Sequence, residues 1–428
     1  MRALPLLRCG VAAVLVSGLV TPIAPSAPAS ATTSGRTFHV LAHRGDGKDA
    51  PENSVEAYTA AGVAGYDGIE TDIQFSSDHV PVMSHSDSLK PGNAGGSDCM
   101  LPSDPTRTIR IHQTSWARLQ QVLCIDHRTQ TYTVPLATFA GLATVLQTYP
   151  RLQLTLDVKK YSGASAKAQR DYAKRASKLI IANGLVGRTR ILTYNWDAML
   201  PTLRKYLPKT YVLAYDHSNF SYARVRLAKK LKASGYGVEA RYTSVNLATF
   251  IKARKLEVVP WNLSGAPAGQ GTALSIFYGP RTYWFLTDDP VGQASALKSG
   301  TTQLDWTATP VTTPLAAPVQ VDKATYKAGK YRYPKVLGTG APLPASARFA
   351  LDTVTVTITV TKGAKGNAAS VGARGADASA RTKVKLPSGT GTVQVQVPVG
   401  DDGRIRVRTT KKSTLTVQVV ASTTMVFS

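Results

Sequence analysis

Seven residues in the first 160 positions combine the acids, bases and cations of a hydrolytic site. Glu70 and Asp72 stand two apart in Gly68-Ile69-Glu70-Thr71-Asp72, a run that reads as a strand, so their side chains point the same way. Two parallel carboxylates repel each other unless a cation sits between them, and carboxylate oxygens suit one hard divalent ion, Ca²⁺ or Mg²⁺. Asp157 and Lys159 repeat the spacing in Leu156-Asp157-Val158-Lys159. Asp157 is positioned to complete the metal site, and Lys159 to face an anionic substrate group. His43 and His85 titrate near neutral pH and suit a general acid and a general base. Arg44 and Lys159 add fixed positive charge, which a phosphate in transfer needs. These residue types at these spacings suit metal-assisted cleavage of a phosphodiester.

Such groups must come from several strand ends at once, and the chain supplies the strands. Short apolar runs ending in polar residues recur at 37–45, 66–75, 152–159, 189–195, 210–216, 236–242, 256–263 and 283–289. Helical patterns lie between them at 54–64, 164–182, 196–207, 222–233 and 245–255, with Gly184 and Gly235 placed as helix C-caps. Eight strands alternating with helices predict an α/β fold, a (β/α)8 TIM barrel, whose C-terminal strand ends carry the active site. A gap between the second and third runs opens with a hairpin through 80–85. It continues as an insertion over about 87–133, irregular around 92–105, that would shape substrate access.

The constellation resembles the glycerophosphodiester phosphodiesterase family, of secreted bacterial type with an added C-terminal β module. The match rests on His43-Arg44-Gly45, Pro51-Glu52-Asn53-Ser54, Gly68-Ile69-Glu70-Thr71-Asp72, the His85 segment and Leu156-Asp157-Val158-Lys159. It continues through Val259-Pro260-Trp261-Asn262 and Leu286-Thr287-Asp288-Asp289-Pro290, and so covers roughly 38–300 in order. The resemblance implies a phosphoric diester hydrolase that releases an alcohol and sn-glycerol 3-phosphate from a glycerophosphodiester. It makes His43 and His85 the acid/base pair, Arg44 a phosphate contact, and Glu70, Asp72 and Asp157 the metal ligands. Lys159, Trp261 and Glu52 are the substrate-binding candidates. Trp261 would stack on the glycerol or fill a core or rim position, and Glu52 would serve the site or anchor the first loop. The family usually has Glu where Asp157 stands, so this carboxylate is one methylene shorter. The segment after His85 reads Ser86-Asp87 where His-Asp is common.

The rest of the chain is read from composition. With 51 Lys+Arg against 26 Asp+Glu the 428 residues carry a formal charge of +25, yet only five acids are Glu, all before residue 260. Residues 1–31 read as a signal peptide: Arg2 and Arg8, an apolar stretch too short to span a bilayer, then Ala29-Ser30-Ala31. Export to an oxidising medium, secreted or cell-wall associated, makes a Cys99–Cys124 disulfide the expectation. The barrel would occupy 32–300, a Thr/Pro/Ala/Gly linker 301–345, and a β-rich accessory domain 346–428, a small antiparallel sandwich with Val/Thr alternation. Residues 301–428 hold 17 basic and six acidic side chains and no Glu, which favours an anionic cell-wall polymer or lipid surface as partner. No nucleic-acid motif or aromatic-interleaved basic patch is present. Competing readings are a related barrel phospholipase, of sphingomyelinase D or phosphatidylinositol phospholipase C type, and a non-catalytic cell-wall-binding protein. The His-Arg-Gly and Pro-Glu-Asn-Ser segments weigh against the phospholipases, and the intact histidine pair and acid cluster against the wall-binding protein.

Overall fold

The computed structural model describes residues 31–33, 36–47, 50–93, 97–126, 129–194, 196–216, 220–239, 245–261, 282–299, 308–336, 351–373, 381–399 and 404–427. The expected signal peptide therefore lies, but for its last residue, outside the described residues.

Eight parallel strands build the barrel: β1 (Arg36–Ala42), β2 (Gly68–Phe75), β3 (Gln153–Val158), β4 (Thr189–Thr193), β5 (Tyr211–Asp216), β6 (Gly235–Glu239), β7 (Glu257–Trp261) and β8 (Thr282–Thr287). They pair in chain order from β1 to β7, and β8 returns to pair β1 from the other side. That is the cyclic order of a (β/α)8 barrel. Helices α1 (Val55–Ala64), α2 (Phe139–Thr148), α3 (Ala166–Ala182), α4 (Trp196–Tyr206), α5 (Tyr222–Lys230), α6 (Val245–Lys252) and α7 (Pro290–Ser299) cover it.

Every residue of β2 is buried, because in a parallel barrel one strand face meets the interior and the other meets helices. Ile69, Ile73, Leu154, Leu156, Ile191 and Val212 meet Tyr58, Leu146, Ile180 and Leu200 of the helices in one continuous core. Each such side chain contributes roughly 1.5–3 kcal/mol on burial. At α1 the Ser54 hydroxyl accepts a hydrogen bond from the Ala57 amide, and Gly65 closes the helix in the left-handed conformation. Gly184 takes the left-handed position after α3, but Gly235 does not cap α5: Lys232, at φ 65°, does so. Gly235 instead opens β6, where a Cβ would lie 2.7 Å from the Tyr211 hydroxyl.

The insertion is more ordered than its composition suggests. After a short strand, Pro81–Met83, antiparallel to β2, five strands of two to five residues form a sheet in the order 109–110, 88–90, 97–100, 123–126, 131–135. Leu89, Leu101, Ile109, Ile111, Leu119 and Val122 give it a core of its own. The expectation of an irregular 92–105 is thus corrected at Ser97–Met100, a strand too short to leave an alternating signature. Cys99 and Cys124 face each other across an antiparallel pair and form the disulfide.

Two four-stranded sheets follow the barrel. One runs β9 (Ala308–Tyr326), β16 (Ser413–Phe427), β11 (Leu351–Gly363), β14 (Gly389–Pro398); the other runs β10 (Tyr331–Arg332), β15 (Ile405–Thr409), β12 (Ala368–Ala373), β13 (Arg381–Lys385). Val354, Val356, Ile358 and Val360 alternate with threonines along β11, and all four are fully buried against Val371, Val407, Val417 and Val419. Residues 301–345 do not behave as a linker throughout, since β9 and β10 lie within them. Pro310, Pro314 and Pro318 all fall within β9, which is an edge strand, where a missing N–H is tolerated. A register shift between Pro314 and Val319 steps past the third proline.

Candidate active site

The loop after β1 holds two non-glycine residues in the left-handed region. Arg44 and Asn53 adopt positive φ of 55° and 58°, and the Asn53 amide donates to the Arg44 carbonyl at 2.8 Å. Non-glycine residues in this region carry strain that surrounding contacts must hold. Between them, Gly45 at φ 87° lies so close to α1 that a Cβ would meet Ala57 Cβ at 2.7 Å. Asn53 then ties the loop to β2. Its Oδ1 accepts from the Thr71 hydroxyl at 2.8 Å and the Asp72 amide at 3.2 Å, and its Nδ2 donates to Asp72 Oδ2 at 3.2 Å.

Three carboxylates meet at this end of the barrel. Register pairs Asp157 with Asp72 across β3 and β2, and Glu70 lies two residues back on the same face. Glu70, Asp72 and Asp157 are all buried, and one oxygen from each lies within 4.8 Å of the others. Asp157 Oδ1 is buried without a hydrogen-bond partner. A buried acceptor left unsatisfied, in a set of hard oxygen donors, fits a divalent cation.

Two protein cations and two histidines surround the acids. Lys159 Nζ contacts Asp157 Oδ2 at 2.6 Å and Asp72 Oδ1 at 2.9 Å, so it points into the cluster. Arg44 Nη1 donates to Glu52 Oε2 at 2.6 Å, its Nε lies 3.5 Å from Asp72 Oδ2, and its amide donates to Glu70 Oε2 at 3.4 Å. His43 Nε2 lies 3.8 Å from Glu70 Oε2, and His43 Nδ1 lies 2.5 Å from Asp288 Oδ1. His85 follows the strand that pairs with β2, and its Nδ1 is buried without a hydrogen-bond partner. The structure thus gathers His43, Arg44, Glu52, Glu70, Asp72, His85, Asp157 and Lys159. The backbone of Trp261 ends β7 opposite Glu239, while its side chain and Asn262 lie outside what is described.

The surroundings push these groups apart in acidity. Burial, then the charges of Asp72 and Asp157, raise Glu70 to about 8 against His43 and Lys159. Asp72 is equally buried, yet Lys159, His85 and Arg44 overcome that burial and hold it at about 2. Burial lowers His43, but the Asp288 hydrogen bond and the Glu70 charge outweigh it, and its pKa is raised. Burial, helped by Lys159 and Arg44, lowers His85 to about 4 against the pull of Asp72 and Asp157. One histidine therefore favours its protonated form and the other its neutral form.

A profile of the glycerophosphoryl diester phosphodiesterase family matches residues 43–267, a segment that holds all three acids and both histidines. The chain belongs to the glycerophosphoryl diester phosphodiesterase family. Among curated relatives, glycerophosphodiester phosphodiesterase 1 of Rattus norvegicus is 39% identical over 70 residues, 16% of this chain and 21% of that protein. A glycerophosphodiester phosphodiesterase of Caldanaerobacter subterraneus is 44% identical over 50 residues, 12% of this chain and 21% of that protein. The chain thus spans about a fifth of the length of these relatives. Among solved structures, a glycerophosphodiester phosphodiesterase from Parabacteroides distasonis is 16% identical, with 62% of this chain and 98% of that one covered at a TM-score of 0.48. A phosphodiesterase from Oleispira antarctica, in complex with the product sn-glycerol 3-phosphate, is 20% identical, with 61% and 96% covered at 0.47.

Two residues that meet this cluster have no role assigned from the sequence alone. Asp288 stands in the Leu-Thr-Asp-Asp-Pro segment and holds His43. The Tyr215 hydroxyl donates to Asp157 Oδ2 at 2.7 Å from the end of β5. Its alternation with Leu213 toward a strand end was the available signal. Beside the site, the first loop and the insertion enclose a cavity of about 230 Å³ lined by Glu52, Asn53, Asp98, Gln130 and the disulfide.

Proposed function

We propose that the chain hydrolyses glycerophosphodiesters, giving sn-glycerol 3-phosphate and an alcohol. Water adds to phosphorus, the ester bond to the alcohol breaks, and the departing oxygen takes up a proton. The observation that carries this reading is the convergence of two oppositely shifted histidines on three buried carboxylates beside Arg44. His43, whose protonated form the Asp288 hydrogen bond favours, serves as the acid, and His85, whose neutral form burial favours, as the base. Arg44 meets the phosphate with a guanidinium oriented by Glu52 and Asp72. Glu70, Asp72 and Asp157 hold one divalent cation, Ca²⁺ or Mg²⁺, which when bound supplies a Lewis acid for the phosphoryl oxygens. Lys159 and Tyr215 hold the Asp157 carboxylate in place. The cavity beside Glu52 gives room for the alcohol portion, and Trp261 is proposed to stack on the glycerol.

We also propose that the protein works outside the cytoplasm, which the Cys99–Cys124 bridge supports. Its C-terminal module would hold it at an anionic wall polymer or lipid surface, a reading supported by the excess of basic side chains there. The catalytic reading is tested with His43→Ala and His85→Ala on glycerophosphocholine. Each should lose about 10²–10⁴-fold in kcat, and EDTA should abolish turnover in the unsubstituted chain. Unchanged turnover in either variant would overturn the assignment.

A further inference from the structure

The second C-terminal sheet carries basic residues in an order that its register makes explicit. Across β10, β15, β12 and β13, Tyr331 pairs with Arg408, Arg408 with Ser370, and Ser370 with Lys383. Two residues along, Arg406 pairs with Gly372, and Gly372 with Arg381. Strand alternation puts both rows on one face, opposite the buried Val407 and Val371. In these two rows β12 contributes only Ser370 and Gly372, so the longer side chains on either side can lean together over it.

They do so around one tyrosine. The guanidinium carbons of Arg406, Arg408 and Arg381 lie 4.9, 5.3 and 5.8 Å from the Tyr331 ring centre. Arg381 Nη1 and Arg408 Nη1 both donate to the Tyr331 hydroxyl, at 2.9 and 3.4 Å. Tyr333 continues the aromatic surface, with ring centres 6.3 Å apart. Nearby Arg332 shows what neutralisation looks like in this module, with two bonds to Asp322 at 2.6 and 2.9 Å. Among the described residues, no carboxylate pairs with Arg381 or Arg408, and Arg381 Nε is buried without a hydrogen-bond partner. The Arg381 and Arg408 guanidinium groups, both held on one hydroxyl, repel each other, and an anion laid across them relieves that repulsion.

We infer that this face is a binding site for a polymer of recurring phosphate groups, with Arg381 and Arg408 as the phosphate contacts and Tyr331 as their organiser. Each phosphate along such a polymer carries non-bridging oxygens that accept from guanidinium groups, and its charges recur along the chain as the basic side chains recur across the strands. Lys383 extends the positive row beyond the arginines, which suits a chain of charges better than a single ion. The site deepens the reading that the basic module holds an anionic surface, and it does not depend on the barrel's chemistry.

The test uses the full chain and fluorescein-labelled long-chain inorganic polyphosphate, followed by anisotropy at 50 and 200 mM NaCl. Arg381→Gln/Arg408→Gln should weaken binding at least tenfold and flatten its salt dependence. Lys323→Gln/Lys362→Gln, which removes the same charge from the other sheet, should change it less than about twofold. Tyr331→Phe keeps the charge but removes the shared acceptor, and should weaken binding several-fold; it also serves if the double variant does not fold. Equal losses in the two double variants would overturn this site while leaving general attraction to anions standing. Binding of polygalacturonate or phosphatidylserine vesicles as tightly as polyphosphate would overturn the phosphate polymer as ligand. Absence of polyphosphate binding would overturn the site and the wider surface reading together.

Discussion

Binding of a divalent cation to the three carboxylates should release close to one proton at neutral pH, and Glu70 should be its source. Without the cation Glu70 sits at about 8, while Asp72 sits at about 2 and is already ionised. A cation takes the ionised form, so binding at pH 7 displaces about nine-tenths of a proton; at pH 9 the figure falls to about one-tenth. Apparent affinity should therefore rise close to tenfold per pH unit from 6 toward 8 and flatten above it. The sign for stability follows from the same group. Glu70 is raised from its ordinary 4.5, so the metal-free fold holds more protons than the unfolded chain between those values and loses stability as pH rises through that window. Saturating cation should remove this loss. Calorimetric titration of Ca²⁺ or Mg²⁺ in buffers of different ionisation enthalpy measures the proton count directly. Glu70→Gln should abolish the release and weaken binding by about a hundredfold or more. An affinity independent of pH between 6 and 8, or equal proton release in Glu70→Gln, would refute this account of the cluster.

Three further outcomes follow from the same geometry. Asp288→Asn removes a partner that raises His43, so the alkaline limb of the rate profile, where His43 loses its proton, should move to lower pH; an unmoved limb would separate His43 from it. Lys159→Met leaves Asp72 and Asp157 without their shared ammonium and should cost about 3–5 kcal/mol in EDTA by chemical unfolding. Excess divalent cation should restore much of that loss, and a loss that cation cannot touch would contradict the cluster's proposed role. Reducing the Cys99–Cys124 bridge frees a loop of 25 residues and should lower unfolding stability by about 3–4 kcal/mol, read with and without reductant.

Much of the barrel was legible because it rests on local rules. Polar residues end apolar runs at His43, Asp72 and Asp157, and the strand period places Glu70 with Asp72 on one face. Contacts that join distant strands were not legible. Asp288 reaches His43 across 245 residues of chain, and Tyr215 reaches Asp157 across 58. Only closure of the sheet brings them together. Lys159 read as a group for the substrate, but a lysine two residues from one acid and facing another turns toward both. In β9 the prolines masked a strand that its edge position permits, and in the insertion the strands are too short to show a period.

The most direct test of the central claim is hydrolysis of glycerophosphocholine in ¹⁸O-enriched water, with products read by phosphorus NMR and mass spectrometry. The account predicts sn-glycerol 3-phosphate carrying one heavy oxygen, unlabelled choline, and loss of both products with EDTA. Phosphocholine and free glycerol as the products, or no turnover in the presence of Ca²⁺ or Mg²⁺, would contradict it.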